Sequence, residues 1–386
     1  MKSCVNRVLL LAGEESGLLY ANELKRRLAG NEIRGYQDCG FETHDLAVMG
    51  FLPVLLKIRY FLRVKKTMEK VIDEWRPDVV LTVDYPGLNL KLAAYAHAKG
   101  IRTVHVVCPQ VWAWKKGRIP KIEATLDRLC CFLPFEPKLF RPGFATFVGH
   151  PLALAFANAE GTDGRVLKTD VGVKTVALLP GSRKGEIEKI LPTLLKAAVK
   201  LHDDFGDKVR FVIPAATPRA FDQIADMLRS SLPVPCPGFV ELRHGGARDL
   251  LREACCAAVA SGTATLEAAL ARCPTVLVYR MGRMLWWIAG LVLKTRFAGL
   301  ANVIWERCRE GGEVVEEQIV NREMQSPDQP MPELLQENFT AESVGRYLKG
   351  YLSDGDVRAD AVRRLDSAMA YLRTDGDPFS NIINTL

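Results

Sequence analysis

Short apolar runs of strand length alternate with helical patterns along almost the whole of this chain, and they do so in two successive series. In the first, Val8–Ala12 precedes a Gly-Glu-Glu-Ser-Gly turn and the helical pattern Leu18–Leu28. Val79–Val83 then precedes Leu90–Lys99, Thr103–Val107 runs into a Trp-rich loop, and Phe132 and Leu133 lead into Pro134. The second series starts at Val176–Leu179 and continues through Val209–Ile213, Cys255–Ala260 and Pro274–Tyr279. Runs without polar alternation suit strands covered on both faces, the condition inside a parallel sheet flanked by helices. The expected fold class is therefore α/β, with two Rossmann-like doubly wound domains facing a central cleft. The 386 residues agree, since they exceed what one core usually holds. The Gly-, Asp- and Asn-rich segment Ala157–Lys174 separates the two series. The expected domains are thus 1–165 and 166–350, with C-terminal helices over 351–386 packing back on the first. In such sheets ligands sit beyond the carboxyl ends of the strands, so the residues after each strand carry most weight.

Composition narrows the partners. The chain carries 52 Lys and Arg against 45 Asp and Glu, a formal charge of +7, which suits an anionic partner without pointing to nucleic acid. None of the ten cysteines forms a Cys-x-x-Cys pair, and most stand in apolar runs where a free thiol acts as a small hydrophobe. That argues against a disulfide framework or a zinc site and fits a reducing cytosol. The apolar core Val8–Ala12 is too short for a leader segment and reads as a first buried strand. No apolar run approaches the ~20 residues that span a bilayer.

Two turns in the second series look built for anions. Leu178-Leu179-Pro180-Gly181-Ser182-Arg183-Lys184-Gly185-Glu186 follows a strand and opens a helix. Gly181 permits a tight turn, helix amides beyond Ser182 can face an anion, and Arg183 offers a fork of donors. Ser261-Gly262-Thr263-Ala264-Thr265-Leu266-Glu267 repeats the arrangement after Cys255–Ala260, with Glu267 one turn into the helix, where it could accept from ribose hydroxyls. Each turn alone is equally a helix cap, but the pair favours a nucleoside diphosphate. Neither fits the P-loop pattern, and no Gly-x-Gly-x-x-Gly marks the first turn.

In the first series Asp84 closes Val79–Val83 and precedes Tyr85-Pro86-Gly87-Leu88-Asn89. A carboxylate there can take a proton from an attacking hydroxyl, or can simply hold an Asx turn at Pro86. Glu14 and Ser16 stand at the first strand's exit in the same way, as site groups or as a helix cap. His105 and His150 read as core residues. Trp112 and Trp114, followed by Lys115 and Lys116, suit contact with a sugar or lipid. Leu46–Val64 sets Phe51, Leu55, Phe61 and other apolar residues beside Lys57, Arg59 and Arg63, with Lys65 and Lys66 following. It is either an interfacial helix or a core helix. Met284–Leu293, with Trp286 and Trp287, is flanked by Arg280, Arg283, Lys294 and Arg296, and the two segments together favour membrane contact.

These residues resemble the lipid-A-disaccharide synthases, inverting glycosyltransferases of the two-domain GT-B type. The matching stretches are AGEESG (12–17), LAVMG (46–50), VDYPGLN (83–89), CPQVWAWKKGRIPKI (108–122) and LPFEPKLF (133–140). They continue in the family's order with FVGHPLA (147–153), LLPGSRKGEI (178–187), ASGTATLEAAL (260–270), VYRM (278–281) and PELLQ (332–336). The resemblance implies UDP-2,3-diacylglucosamine as donor, 2,3-diacylglucosamine 1-phosphate as acceptor, and a β-1,6-linked tetraacyl disaccharide phosphate as product. It further implies no cofactor or metal, and a cytoplasmic protein held peripherally at the inner membrane's cytoplasmic leaflet. Asp84 matches the family's essential Asp as general base, while Glu14 and Ser16 match its first turn. Arg183, Thr263, Glu267, Tyr279, Asn302 and Gln336 match positions on the nucleotide side. The chain departs from the family pattern where Leu18 and Gly87 replace carboxylates, and where an acidic stretch runs from Glu306 to Asp328. A UDP-sugar epimerase of the same fold and an inactive lipid-binding relative are the alternatives.

Overall fold

The computed structural model describes residues 5–42, 46, 58–160, 172–231, 238–309, 326 and 328–386. The first half comprises β1 (Arg7–Ala12), α1 (Glu15–Arg27), β2 (Glu32–Arg34), α2 (Ile58–Trp75), β3 (Val79–Val83) and α3 (Pro86–Ala98). There follow β4 (Arg102–Val106), α4 (Ile119–Glu123), β5 (Arg128–Cys131), β6 (Ala145–Phe147) and α5 (Pro151–Glu160). The second half runs β7 (Lys174–Leu179), α6 (Lys184–Phe205), β8 (Val209–Ala215), α7 (Pro218–Ser231), β9 (Val240–His244), α8 (Ala247–Glu253) and β10 (Cys256–Ala260). It continues with α9 (Thr263–Leu270), β11 (Thr275–Tyr279), α10 (Arg283–Val292), α11 (Leu300–Cys308) and β12 (Glu333–Leu335). Helices α12 (Ala341–Ser353), α13 (Gly355–Ala370) and α14 (Pro378–Ile383) complete the chain.

Both sheets are parallel throughout, in the orders β2-β1-β3-β4-β5-β6 and β12-β11-β10-β7-β8-β9. In the first, the chain steps outward from β1 to β2 and then returns to β1's other side with β3. In the second, it steps from β7 through β8 to β9 and returns beside β7 with β10. The pairs β1/β3 and β7/β10 are thus the topological switch points, where open α/β sheets leave a crevice beyond their strand ends. The central strands are buried along nearly their whole length, as the unbroken apolar runs require.

The contact pattern divides the chain into one unit of Met1–Leu154 with Arg373–Leu386, and a second of Ala155–Leu372. The expected domain boundary at 165 falls outside the described residues, and α5 carries helix through Ala157 to Glu160, where a linker was expected. Of the expected C-terminal return, α12 and α13 belong to the second unit, and only the last segment, Arg373–Leu386, belongs to the first. Phe379 and Ile382 fill the core against β1, β3 and β4. Asp377 caps α14 by accepting from the Ser380 N–H and also receives Arg27 of α1 at 3.0 Å. The strand expected at Phe132–Leu133 lies earlier, at Arg128–Cys131. Among the described residues no helix is long and apolar enough to cross a membrane.

Candidate active site

The second sheet's switch point is built from two turns whose local sequence dictates their shape. After β7, Gly181 adopts φ 103°, and a Cβ there would lie 2.7 Å from a carboxylate oxygen of Glu186. Only glycine lets that side chain fold back beneath the turn. Arg183 is the extended residue before α6; its backbone N–H and guanidinium both donate to Glu186, the latter at 3.1 Å. Ser182 and Arg183 are exposed, and the first amides of α6 lack intrahelical acceptors. After β10, Gly262 takes φ 156°, ψ −165°, a region open essentially to glycine alone. Gly262 and Thr263 are exposed, and Ala264 is half-buried. Thr265 is buried and donates to the Gly262 carbonyl at 2.8 Å, while Ser261 donates to Ala298 O at 3.1 Å. Glu267 pairs with Arg248 at 2.7 Å, a partner that sequence reasoning did not supply. Tyr279 ends β11 and is raised above the ordinary phenol range by burial, with Glu186 and Arg183 near enough to act on it electrostatically. Gly181, Arg183, Glu186 and Tyr279 therefore gather at one end of this sheet.

At the first sheet's switch point the chemistry is reversed. Asp84 and Tyr85 are consecutive left-handed residues with φ 51° and 52°. Each non-glycine residue held so costs about 1–3 kcal/mol and persists only where its surroundings over-determine it. Here they do. Asp84 N–H continues the ladder to Val106 O at 2.9 Å, and Asn89 Nδ2 donates to the carbonyls of Leu11, Val83 and Asp84. Tyr36 OH in turn donates to Asn89 Oδ1 at 2.7 Å, so Asn89 ties together the carboxyl ends of β1 and β3. Gly13 lies against the Tyr85 ring, where a Cβ would come within 2.3 Å, and Tyr85 OH donates to Leu46 O. The Asp84 carboxyl receives the Tyr85 N–H at 2.8 Å, and burial, opposed by that bond, holds its pKa above the usual carboxylate range. Glu14 stands just before α1 and makes no cap bond with its side chain. Its charge reaches Tyr85, whose phenol is pushed up to about 12, chiefly by burial. Ser16 lies in the first turn of α1, its side chain outside the described part of the structure.

Residues 8–359 match the protein family described as lipid-A-disaccharide synthetase. The lipid-A-disaccharide synthase of Chromohalobacter salexigens is 33% identical over 95% of this chain and 93% of its own length. That of Syntrophus aciditrophicus is 36% identical over 77% of this chain and 81% of its own. The chain belongs to the lipid-A-disaccharide synthase family. It is accordingly a hexosyltransferase of lipid A biosynthesis. Solved structures share its fold at low identity. The glycosyltransferase of kitacinnamycin has a TM-score of 0.59 at 13% identity, with 99% of each chain covered. The UDP-GlcNAc 2-epimerase of Neisseria meningitidis, bound to UDP-GlcNAc, has 0.54 at 11%, covering 98% and 99%. The architecture of two Rossmann-like units is thus that of the GT-B class.

Other residues that the sequence picked out in this member of the family divide by environment. Asn302 is fully buried and all its amide groups are engaged. Nδ2 donates to Met331 O and Glu333 Oε1, and Oδ1 accepts from Met331 N–H at 3.0 Å. Gln336 clamps the Met281 backbone, accepting its N–H at 2.8 Å and donating to its carbonyl at 3.3 Å. Both bind backbone of their own unit. Trp112 corrects the expectation of a paired aromatic surface: its ring is buried and Nε1 donates to the buried Glu136 at 3.1 Å. Trp114 remains exposed, with the Lys115 ammonium 4.3 Å from its centroid. His150 is a core residue, as expected, and accepts the Leu152 N–H. His105 is also buried but only half satisfied, its Nδ1 meeting Thr82 Oγ1 while Nε2 lacks a partner. Phe51 and Leu55 lie outside the described residues. Phe61 packs half-buried on the core around α2, a helix that runs past Val64 to Trp75, while Ile58 and Leu62 are exposed. Helix α10 is the more open face: Met284 is 72% exposed, Trp287 64% and Leu291 58%, with exposed Arg283 and Lys294 at its ends.

Proposed function

We propose that the chain transfers 2,3-diacylglucosamine from its UDP derivative to the 6-hydroxyl of 2,3-diacylglucosamine 1-phosphate, with inversion. Asp84 takes the hydroxyl proton as that oxygen bonds to the anomeric carbon, and the bond from that carbon to the UDP oxygen breaks. The observation that carries this role is a desolvated carboxyl in strained backbone at a switch point, with no cation among the described residues to hold it ionised. Burial that raises a carboxyl's pKa makes it a stronger base once ionised. Glu14, beside Tyr85 at the same strand ends, lines the acceptor side with Ser16. UDP's growing charge is met by Arg183 and by the amides at Gly181–Ser182 and Gly262–Ala264, donors fixed in place before reaction. Glu267, held by Arg248, faces the ribose, and Tyr279 lines the same pocket. The incubation that tests this uses both acylated substrates and follows UDP and disaccharide by mass spectrometry. Donor epimerised without acceptor would instead support an epimerase, and unchanged substrates an inactive relative.

Both substrates are lipids, and the cytoplasmic leaflet of the inner membrane is the surface we assign to the exposed side chains of α10 and to the Phe51–Lys66 segment. Large apolar groups rimmed by cations suit an anionic interface, each cation adding about 1 kcal/mol. The protein should sediment with anionic vesicles at low salt and be largely released at high salt, because screening shortens the attraction. Met284→Ser/Trp287→Ser/Leu291→Ser should lower sedimentation and spare activity on detergent-dispersed substrate. Undiminished sedimentation would remove α10 from the surface.

A further inference from the structure

A buried cluster beneath the Trp loop belongs to none of these roles. Cys108, Cys131 and Glu136 are all buried, and their Sγ and carboxylate atoms all lie within 4.8 Å of one another. They come from three places: the loop after β4, the last residue of β5, and the 3₁₀ turn Glu136–Leu139. Cys108 is placed by Val107, a β-branched residue at φ 73°, where such side chains are rarely tolerated. Glu136 receives three neutral donors, Trp112 Nε1 at 3.1 Å, the Leu133 N–H at 3.2 Å and the Cys108 thiol, and no cation among the described residues. A buried carboxyl is paired with a cation, bound to a metal or kept neutral by a proton, and burial pushes Glu136 up to about 8, so a metal here would take the place of that proton. Loss of the Cys108 thiol proton to a metal would free a lone pair on this carboxyl for the same ion. The Trp112 N–H is the kind of outer contact that orients a metal-binding carboxylate.

We propose that Cys108, Cys131 and Glu136 form a site for a soft divalent cation of the zinc type, which fastens the Trp loop to the end of β5. Two thiolates and a carboxylate match the ligand preference of such ions, and the Pro109 carbonyl, 3.3 Å from Cys108 Sγ, stands beside the set as a further oxygen. Sulfur ligands around zinc are about 3.7 Å apart by its bond length and tetrahedral angle, so the side chains need shift by no more than about 1 Å. Binding exchanges the two thiol protons, and that of the carboxyl where present, for the ion.

The test uses the full chain with Cd²⁺ and Zn²⁺ as probes, added to folded protein and, separately, during refolding from denaturant so that burial does not bar loading. One equivalent of Cd²⁺ should give thiolate-to-cadmium absorption in the ultraviolet, displaced by Zn²⁺ and kept by Cys255→Ser. Cys108→Ser and Cys131→Ala should each abolish it or weaken binding by at least about tenfold. Should either fail to fold, Glu136→Gln, which keeps both thiols, should still weaken binding about tenfold. No stoichiometric band by either route overturns the site, as does a band indifferent to all three substitutions. A Cys108–Cys131 disulfide that excludes the metal also overturns it.

Discussion

At the switch point of the first sheet a carboxyl is sunk in strained backbone. At that of the second a guanidinium and two helix N-termini stand open to solvent. The wiring is closely related: one strand in each sheet has neighbours that leave in opposite directions, which opens a crevice at its carboxyl end. What differs is the residue that follows the strand. Asp84 succeeds five buried positions and lies against Gly17, where an added Cβ would come 3.6 Å from its own, so it is partly desolvated and shifted upward. Gly181 and Gly262 leave their strands in conformations that turn amides outward, and Arg183 follows into solvent. One architecture thus supplies a proton acceptor or an anion cradle according to whether glycine or a carboxylate occupies the exit.

The largest effect should come from the first exit. Asp84→Asn is expected to lower kcat by ~10²–10⁴ with melting and UDP affinity retained. In the wild type, activity should fall as pH drops through the raised Asp84 pKa, because a base must be ionised. That acid limb should lie above the ordinary Asp value of about 3.9 and vanish in the Asn variant. Near-wild-type turnover would remove the contrast between the exits. At the second exit, Arg183→Ala should weaken UDP binding by about 1.5–3 kcal/mol in calorimetry, the range for a charge-assisted hydrogen bond. Unchanged affinity would move the diphosphate elsewhere. Asn302→Ala sharpens the boundary of that cradle. It strands the Met331 N–H, takes one donor from Glu333, and should cost about 1–3 kcal/mol of stability, read from denaturant melts, while the folded fraction binds UDP as before. A selective loss of UDP affinity would return Asn302 to the nucleotide.

Legibility in the sequence followed the length of the buried run: β12 is buried at every position but spans only Glu333–Leu335. The runs at β1, β3, β4, β7, β8, β10 and β11 were visible because central parallel strands are covered on both faces. The unread strands β2, β6, β9 and β12 are the edges of their sheets. With a neighbour on one side only, Glu32–Arg34 and Ala145–Phe147 remain largely uncovered and have no need for an apolar run. The exits Asp84, Gly181 and Gly262 were legible too, since each stands within two residues of the end of a readable strand. Asn89, Arg248 and Glu136 were not assigned roles, because each acts through a partner distant in sequence or in another element.

By itself the sequence determined the α/β alternation, the glycine-bearing turns and the family, since each is written in neighbouring residues. Only the tertiary structure decided which polar side chains are available. Trp112 and Trp114 stand two residues apart in one motif, yet one is sealed against Glu136 and the other faces solvent. Asn302 matches a nucleotide-side position but spends its whole amide on Met331 and Glu333. A local pattern fixes backbone conformation, whereas a hydrogen-bond partner is set by long-range contacts that burial makes obligatory.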